Sequence, residues 1–361
     1  MIANGARLWR SGVTALIRRA VISGAALAGL TACGGQSFPE AICKRVNLTD
    51  NGQAVLGVED MAYDAPSQTL YLSAYDRRTH SEGGIYRLAV ESEGTDLTVT
   101  PIIENIRPHG ISLTRYDQGL TLDFIDRTGD KEEMKPVIRT LSWHDETPNL
   151  FVESAAYTTA ELCASNDLVR VERINPNDAL IFVTQDHKAC TLKAQKRENI
   201  LSANQARVVT TRPIANTAET FSTGLAFANG ITDSRDGRHI YVAETRAKQV
   251  TILSHDTGEV IGHVKLSGGP DNLTRESDDI YVAIIPSLIK FLGVQKNESK
   301  RIKSRFAIIT PDNTATTYDV PASVISGATV AIKAGEYIWL GAGYDTAIAR
   351  CQLPAPSESP S

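Results

Sequence analysis

Basic stripes are missing from this chain, and its 42 acidic residues outnumber 37 lysines and arginines, giving a formal net charge of -5. That balance repels nucleic acid and argues against it as a partner. Helical periodicity is nearly absent, which sets aside an all-α body. No G-x-S-x-G elbow occurs and no Ser-His-Asp set is suggested, so covalent chemistry of the serine-hydrolase kind is not expected. Beyond the first 32 residues there is no long apolar run able to cross a bilayer. Cysteine is scarce, at five residues.

What is present begins with a leader. Arg7, Arg10, Arg18 and Arg19 precede an apolar stretch, Ala20 to Leu30, that is too short for a stop-transfer helix and reads as an export signal. It ends in "LTAC", Leu30 to Cys33, which is similar to a bacterial lipoprotein box; an ordinary secretory signal with a chance cysteine is the alternative. On the first reading, residues 1–32 are a signal peptide, Cys33 carries lipid and residues 33–42 are a tether. Residues 43–353 form the body and residues 354–361 a Pro/Ser-rich tail. The expected location is that of an exported lipoprotein, anchored to a bacterial membrane and facing the periplasm or the cell exterior. Removing the leader takes 37 basic residues to 33 against 42 acids, a net charge of -9. Cys43, Cys163, Cys190 and Cys351 remain, an even number that suits disulfides in an oxidising compartment rather than a thiol nucleophile or a metal site. Three pairings are open. A bond between Cys43 and Cys351 would staple the two ends together, and Cys163 with Cys190 would then close a local loop.

Internal similarity organises the rest. "VEDMAYDAPSQTLYLSAY" (58–75), "PHGISLTRYDQGLTLDFI" (108–125), "SNDLVRVERINPNDALIFVT" (165–184), "ANGITDSRDGRHIYVAE" (228–244), "PDNLTRESDDIYVAI" (270–284) and "GATVAIKAGEYIWLGA" (327–342) share one plan. Each has a polar or small pair, an apolar residue, turn formers, and then a strand rich in Tyr, Ile, Val and Leu. Alternating runs such as "GIYRLAV", "VIRTLSW", "QVTILSH" and "RFAIITP" supply further strands. Units of this length with about four strands each match propeller blades, and the expected fold is an all-β, six-bladed β-propeller around a central channel. A β-sandwich is the alternative. In a propeller the innermost strands run along the channel, so the opening pairs meet at the axis: Glu59-Asp60, His109-Gly110, Asn166-Asp167, Asn229-Gly230, Asp271-Asn272 and Ala328-Thr329. A ring of carboxylates and carboxamides without thiolates suits a hard cation such as calcium.

The motifs "VEDM", "PHGIS", "SNDLV", "FANGI" and "PDNLT", in this order, make the chain resemble the serum paraoxonase/arylesterase family of calcium-dependent lactonases, within a wider set of gluconolactonase-like propellers. The resemblance runs from Cys43 to Cys351. It implies two calcium ions. A catalytic ion would be held by Glu59, Asn166, Asn229, Asp271 and Asn272, and a structural ion by Asp60, Asp167 and the backbone carbonyl of Ile111. It also implies a disulfide between the ends, matching Cys43 with Cys351. The charges of Glu59 and Asp271 neutralise the first ion, while the three Asn residues add oxygens without charge. Asn229 would thus be a neutral ligand from the fourth blade, rather than only the first residue of an Asn-Gly turn, and Gly230 would let the backbone pass closely.

His109 is the expected general base, its ordinary pKa lying near neutrality. Paraoxonases place a second histidine on the following strand; here "LDFIDRTGDK" offers Asp126 and Arg127 instead. An Asp could orient His109, whereas an Arg would lower its pKa. Asp186 and His187 in "QDHKAC" stand where the family also has Asp-His and are supporting candidates. "AIIPSLIKFLGVQ" (283–295) reads either as an apolar pocket wall or as core and loop. The expected activity is calcium-dependent hydrolysis of a small-molecule lactone or ester by water attack. The alternatives are a sugar-lactone hydrolase of the same kind and a non-catalytic, calcium-stabilised binding module.

Overall fold

The computed structural model describes residues 38–354, apart from 118, 130–133, 145–146, 148–149, 172–178, 202–203 and 213–216. The leader, the lipid-bearing Cys33, the start of the tether and the end of the tail lie outside the described residues. No helix among the described residues is long and apolar enough to cross a membrane.

Val, Ile, Leu and Tyr dominate short runs separated by turn formers, and these runs pair as antiparallel sheets in chain order, except that Ile42–Asp50 joins the last sheet and Asp96–Thr98 pairs with it in parallel. Blade 1 consists of Val58–Asp64, Thr69–Ala74, Gly83–Ala89 and Thr100–Ile106. Blade 2 consists of Pro108–Tyr116, Gly119–Gly129, Met134–His144 and Val152–Tyr157. Blade 3 uses Ser165–Val171, Leu180–Gln185, Ala206–Arg212 and Thr217–Leu225, and blade 4 uses Ala228–Asp233, His239–Glu244, Gln249–Ser254 and Val260–Lys265. Gly269–Glu276, Asp279–Ile285, Ser304–Ile309 and Ala315–Val320 form blade 5. Val330–Ala334, Tyr337–Gly341 and Ala347–Gln352 begin blade 6. The first strands of successive blades touch in cyclic order, the sixth returning to the first, so the sheets close as a six-bladed propeller. Each repeat read from the sequence is the inner hairpin of one blade.

Because every blade is covered on both faces by its neighbours, the hydrophobic core is divided into six, one in each gap. Tyr71 and Ile85 of blade 1, for example, pack on Ile111, Leu122 and Phe124 of blade 2. This double coverage explains why the inner strands read as continuous apolar runs rather than clean alternation.

The ring is closed by the two ends of the body. Ile42–Asp50 adds the outer strand of blade 6, antiparallel to Ala347–Gln352, in a register that sets Cys43 opposite Cys351. These two are bridged, as are Cys163 and Cys190. Residues 38–41, read from the sequence as tether, lie along blade 5: the Ala41 N–H donates to Asp319 O at 3.1 Å, and the Arg305 guanidinium sits 4.3 Å from the Phe38 ring centroid.

Among the described residues two α-helices interrupt the strands, α1 at Leu192–Leu201 and α2 at Leu288–Lys296. Each lies in the connection between the second and third strands of its blade. The α2 segment is the apolar run noted in the sequence; Ser287 caps it by accepting from the Lys290 N–H, and Phe291 and Val294 are its buried face.

Candidate active site

In five blades the first strand slips register at its polar pair: between Val58 and Asp60, Pro108 and Ile111, Ser165 and Leu168, Ala228 and Ile231, and Pro270 and Leu273. Such bulges re-aim side chains that simple alternation would send to opposite faces. Glu59, His109, Asn166, Asn229 and Asp271 consequently line one cavity of about 590 Å³ at a mouth of the channel. Their partners Asp60, Asp167 and Asn272 are buried and do not line it. Gly110 and Gly230 are required by close approach rather than by a positive φ. A Cβ on Gly110 would lie 2.5 Å from Asp167 Cα, and one on Gly230 would lie 2.5 Å from both Asn272 Cα and Asp271 O.

The donors fit a hard cation. Asn166 gives its side-chain NH2 to Asp186 Oδ2 (3.2 Å), Asn229 gives its own to Asp271 Oδ1, and Asn272 donates to Glu59 Oε1 (3.0 Å). The Oδ1 atoms of all three are thereby left buried without a hydrogen-bond partner. A buried polar atom left unsatisfied costs about 1–3 kcal/mol; Asn272 and Asn229 stand beside the carboxylates of Glu59 and Asp271, and Asn166 beside that of Asp186. Calcium takes carboxylate, carboxamide and carbonyl oxygens together. No group of three or more His, Cys, Asp or Glu side chains suited to an ion occurs among the described residues; the expected set has two carboxylates and draws most of its oxygens from carboxamides. Charge points the same way. Burial pushes the Asp271 carboxyl well above its ordinary range, and Glu59 adds to the effect.

Below this set, Asp60 accepts from the Met61 and Ile111 N–H groups, both at 2.8 Å, and Asp167 accepts from Leu168 (2.7 Å) and Ile231 (2.9 Å). Burial raises both carboxyls, and Asp167 and Glu59 raise Asp60 further. Four buried acids thus crowd the axis. Ile111 meets Asp60 through its N–H.

His109 Nδ1 lies 2.6 Å from Glu59 Oε2, so the Nδ1–H donates to the carboxylate and Nε2 carries the lone pair. Arg77 Nη2 is 3.5 Å from the same Glu59 oxygen and 3.3 Å from His109 Nδ1, while its Nη1 donates to Gly57 O at 2.8 Å. Burial, then the Arg127 charge, push His109 down to about 4 despite the opposing pull of Glu59. Glu59 is held down to about 2: burial alone would raise it, but His109, Arg77 and Asn272 outweigh burial. At neutral pH the pair is a neutral imidazole on an ionised carboxylate.

Glu59, rather than Asp126, therefore orients His109. Asp126 accepts from the Arg107 N–H (3.1 Å) and from Arg139 (3.2 Å) and does not line the cavity, because successive strand residues face opposite ways. Arg127 does line it. Asp186 and His187 also line the cavity, joined at 2.7 Å through His187 Nδ1, with His187 Nε2 3.0 Å from Asn199 Oδ1 of α1. Burial would lower His187, but Asp186 prevails and raises it.

Other lining residues carried no repeat or motif: Arg77, Arg246 and Tyr344 come from loops between strands, as does Phe227, which opens the motif "FANGI". Ile285, Leu288, Phe291 and Leu292 form an apolar wall, as one reading of the segment 283–295 expected. Thr329, the polar member of the sixth pair, completes the ring by donating to Glu59 O at 2.9 Å.

A closed ring of six blades with oxygen donors and one imidazole at its axis defines the class: a six-bladed propeller with an axial polar centre. Within that class, the chain belongs to the Arylesterase family, whose profile matches residues 54–353. It is similar to serum paraoxonase/arylesterase 2 of Homo sapiens, 25% identical over 329 residues that cover 87% of this chain and 86% of the relative. Among solved structures, regucalcin, a calcium-binding protein from Agrobacterium tumefaciens, superposes with a TM-score of 0.51 at 13% identity, covering 88% of this chain and 95% of that one. A gluconolactonase from Xanthomonas campestris gives 0.51 at 13% identity over 89% and 99%. These two likenesses show the fold alone.

Proposed function

We propose that this protein hydrolyses lactones or related esters, with calcium held by Glu59, Asn166, Asn229, Asp271 and Asn272, and a second, structural calcium held by Asp60, Asp167 and the Ile111 carbonyl. The observation that carries the reading is the trio of buried Asn oxygens without partners, in the same pair of hairpin positions as two buried acids and an oriented imidazole. Membership of the Arylesterase family supports the reaction class. When bound, calcium supplies positive charge that polarises an ester carbonyl and stabilises negative charge on its oxygen.

The chain's own residues do the rest. Glu59 fixes the imidazole tautomer, so His109 Nε2 takes the proton of the attacking water. Burial, with the Arg127 and Arg77 charges adding to it, keeps the ring unprotonated across the neutral range. The α2 wall excludes water and seats an apolar substituent, which favours acyl or aryl groups over a polar sugar. Cys33, carrying lipid, tethers this body to a membrane.

The test is hydrolysis of a panel of aliphatic, acyl-homoserine and sugar lactones and aryl esters, with and without calcium chelation. Turnover should vanish on chelation and fall about a hundredfold or more in Asn229→Ala. His109→Gln should lower kcat about a hundredfold or more while the calcium-induced rise in Tm stays unchanged. Folded, calcium-loaded protein that turns over nothing in the panel would reject the reading.

A further inference from the structure

The cavity wall is not uniformly apolar. Together with the α2 residues Arg127 lines it, and the surrounding charges are unevenly committed. Glu59 is engaged by His109, Asn272 and Arg77. Asp186 spends one oxygen on His187 and the other on Asn166. Asp271 accepts from Asn229. Arg127 has no such claim on it. Its backbone N–H donates to Arg107 O at 3.0 Å, which fixes the residue at the end of the strand beside His109, but its side chain has one contact among the described residues, Nη2 to Ser165 O at 3.5 Å. A guanidinium carries five N–H donors in a planar fork. Here that fork lines a cavity with most of its donors unspent, on the strand paired with the one that carries His109.

Among the described residues no carboxylate lies within ion-pair distance of Arg127; Asp186 acts on it only at longer range, so most of its donors remain for a ligand that brings negative charge. The planar partner that matches its fork is a carboxylate, through two parallel N–H···O bonds. Arg246, like Arg77, adds a further cationic group to the same lining; its Nη2 donates to the carboxamide of Asn199 and its guanidinium lies 5.2 Å from the Phe227 ring centroid. We propose that Arg127 binds a carboxylate on the substrate, so that the lactones or esters admitted here carry an anionic group beside the scissile carbonyl and an apolar portion toward α2. The inference rests on the hydrolytic reading for the word substrate, but its binding half does not depend on turnover.

The experiment uses the full chain loaded with calcium. Isothermal titration would compare pyroglutamate, a lactam that bears a carboxylate and resists hydrolysis, with the neutral pyroglutamamide of the same shape. Wild type should bind the carboxylate about tenfold or more tightly than the amide. Arg127→Gln should abolish that preference without altering amide binding, and Arg127→Lys should keep part of it. Equal affinity of wild type for the two, or no measurable binding of either, overturns the proposal whether or not the variants fold. Hydrolysis of hydroxyglutarate lactone and of a neutral lactone in parallel separates the two readings. Carboxylate binding that depends on Arg127 with no turnover of any lactone would sink the hydrolase and keep the anion subsite. Turnover with no preference for the charged lactone, in wild type and in Arg127→Gln alike, would keep the hydrolase and sink the subsite.

Discussion

Asn229 and Gly230 are adjacent and do opposite kinds of work. The carboxamide needs space and a partner, since its Oδ1 is buried and unpaired; the glycine needs to occupy as little as possible, because the blade 5 backbone passes within 2.5 Å of where a Cβ would stand. Those atoms are main chain, so they cannot rotate away. Gly230→Ala should therefore destabilise the fold by about 1–3 kcal/mol or more, read as a lower midpoint in chemical denaturation. An unchanged midpoint would mean that the inner strands of blades 4 and 5 can separate at no cost. Asn229→Ala should differ in kind, lowering calcium-dependent stabilisation while the midpoint in chelator stays near wild type or rises. At this scale the sequence was informative where residues repeat. The polar pairs could be aligned by eye, and the bulges that turn them toward the axis occur in the same five blades. Arg77 and Tyr344 were illegible, because loops follow no period and nothing in "YDRRTH" or "GAGYDT" says which side chain turns inward.

Strands and loops are held at blade 6 by one carboxylate. Asp345 accepts from Arg45 of the strand Ile42–Asp50 (2.8 Å), from Arg301 (2.9 Å) and from the Ser326 N–H (2.8 Å). Burial would raise its pKa, but Arg45, Ser326 and Arg301 prevail and hold it below the ordinary 3.8. A depressed folded pKa stabilises the ionised native form, so the contribution is complete above the unfolded value of 3.8 and is lost as pH falls through the lower folded value. Asp345→Asn should thus cost stability by a constant amount from pH 7 down to about pH 4, with the gap to wild type closing below that, in urea titrations at stepped pH. A gap that widens toward acid would overturn the assignment. The inner hairpins at this level were legible because Tyr, Ile and Val runs recur with the same turn formers before them. The helices were not. Helix α1 buries none of its residues, so it has no apolar stripe to detect, and the α2 run is short enough to pass for a strand or a loop.

For the whole molecule the decisive feature is that the ring has no single core. Six interblade cores mean that opening any one gap exposes apolar surface on two blades, and the gap beside blade 6 is special because that sheet is assembled from both ends of the chain. Strand pairing from Ile42 opposite Gln352 to Asn47 opposite Ala347 closes it, and the Cys43–Cys351 bond makes the closure covalent across 308 residues of sequence. A crosslink over so long a loop restricts the unfolded chain, an effect worth about 2–5 kcal/mol. Replacing both cysteines by serine should lower the unfolding free energy by that amount in denaturant titration, while the secondary-structure spectrum at low denaturant stays that of wild type, since the six-residue register and the two flanking cores remain. Replacing Cys163 and Cys190 should cost less, because their loop spans 27 residues, but it should disturb ligand binding more, because that bond anchors the segment that carries Asp186, His187 and α1 to the cavity wall. If instead the terminal pair proves dispensable and the local pair governs stability, closure of this propeller rests on its strand register and interblade cores alone.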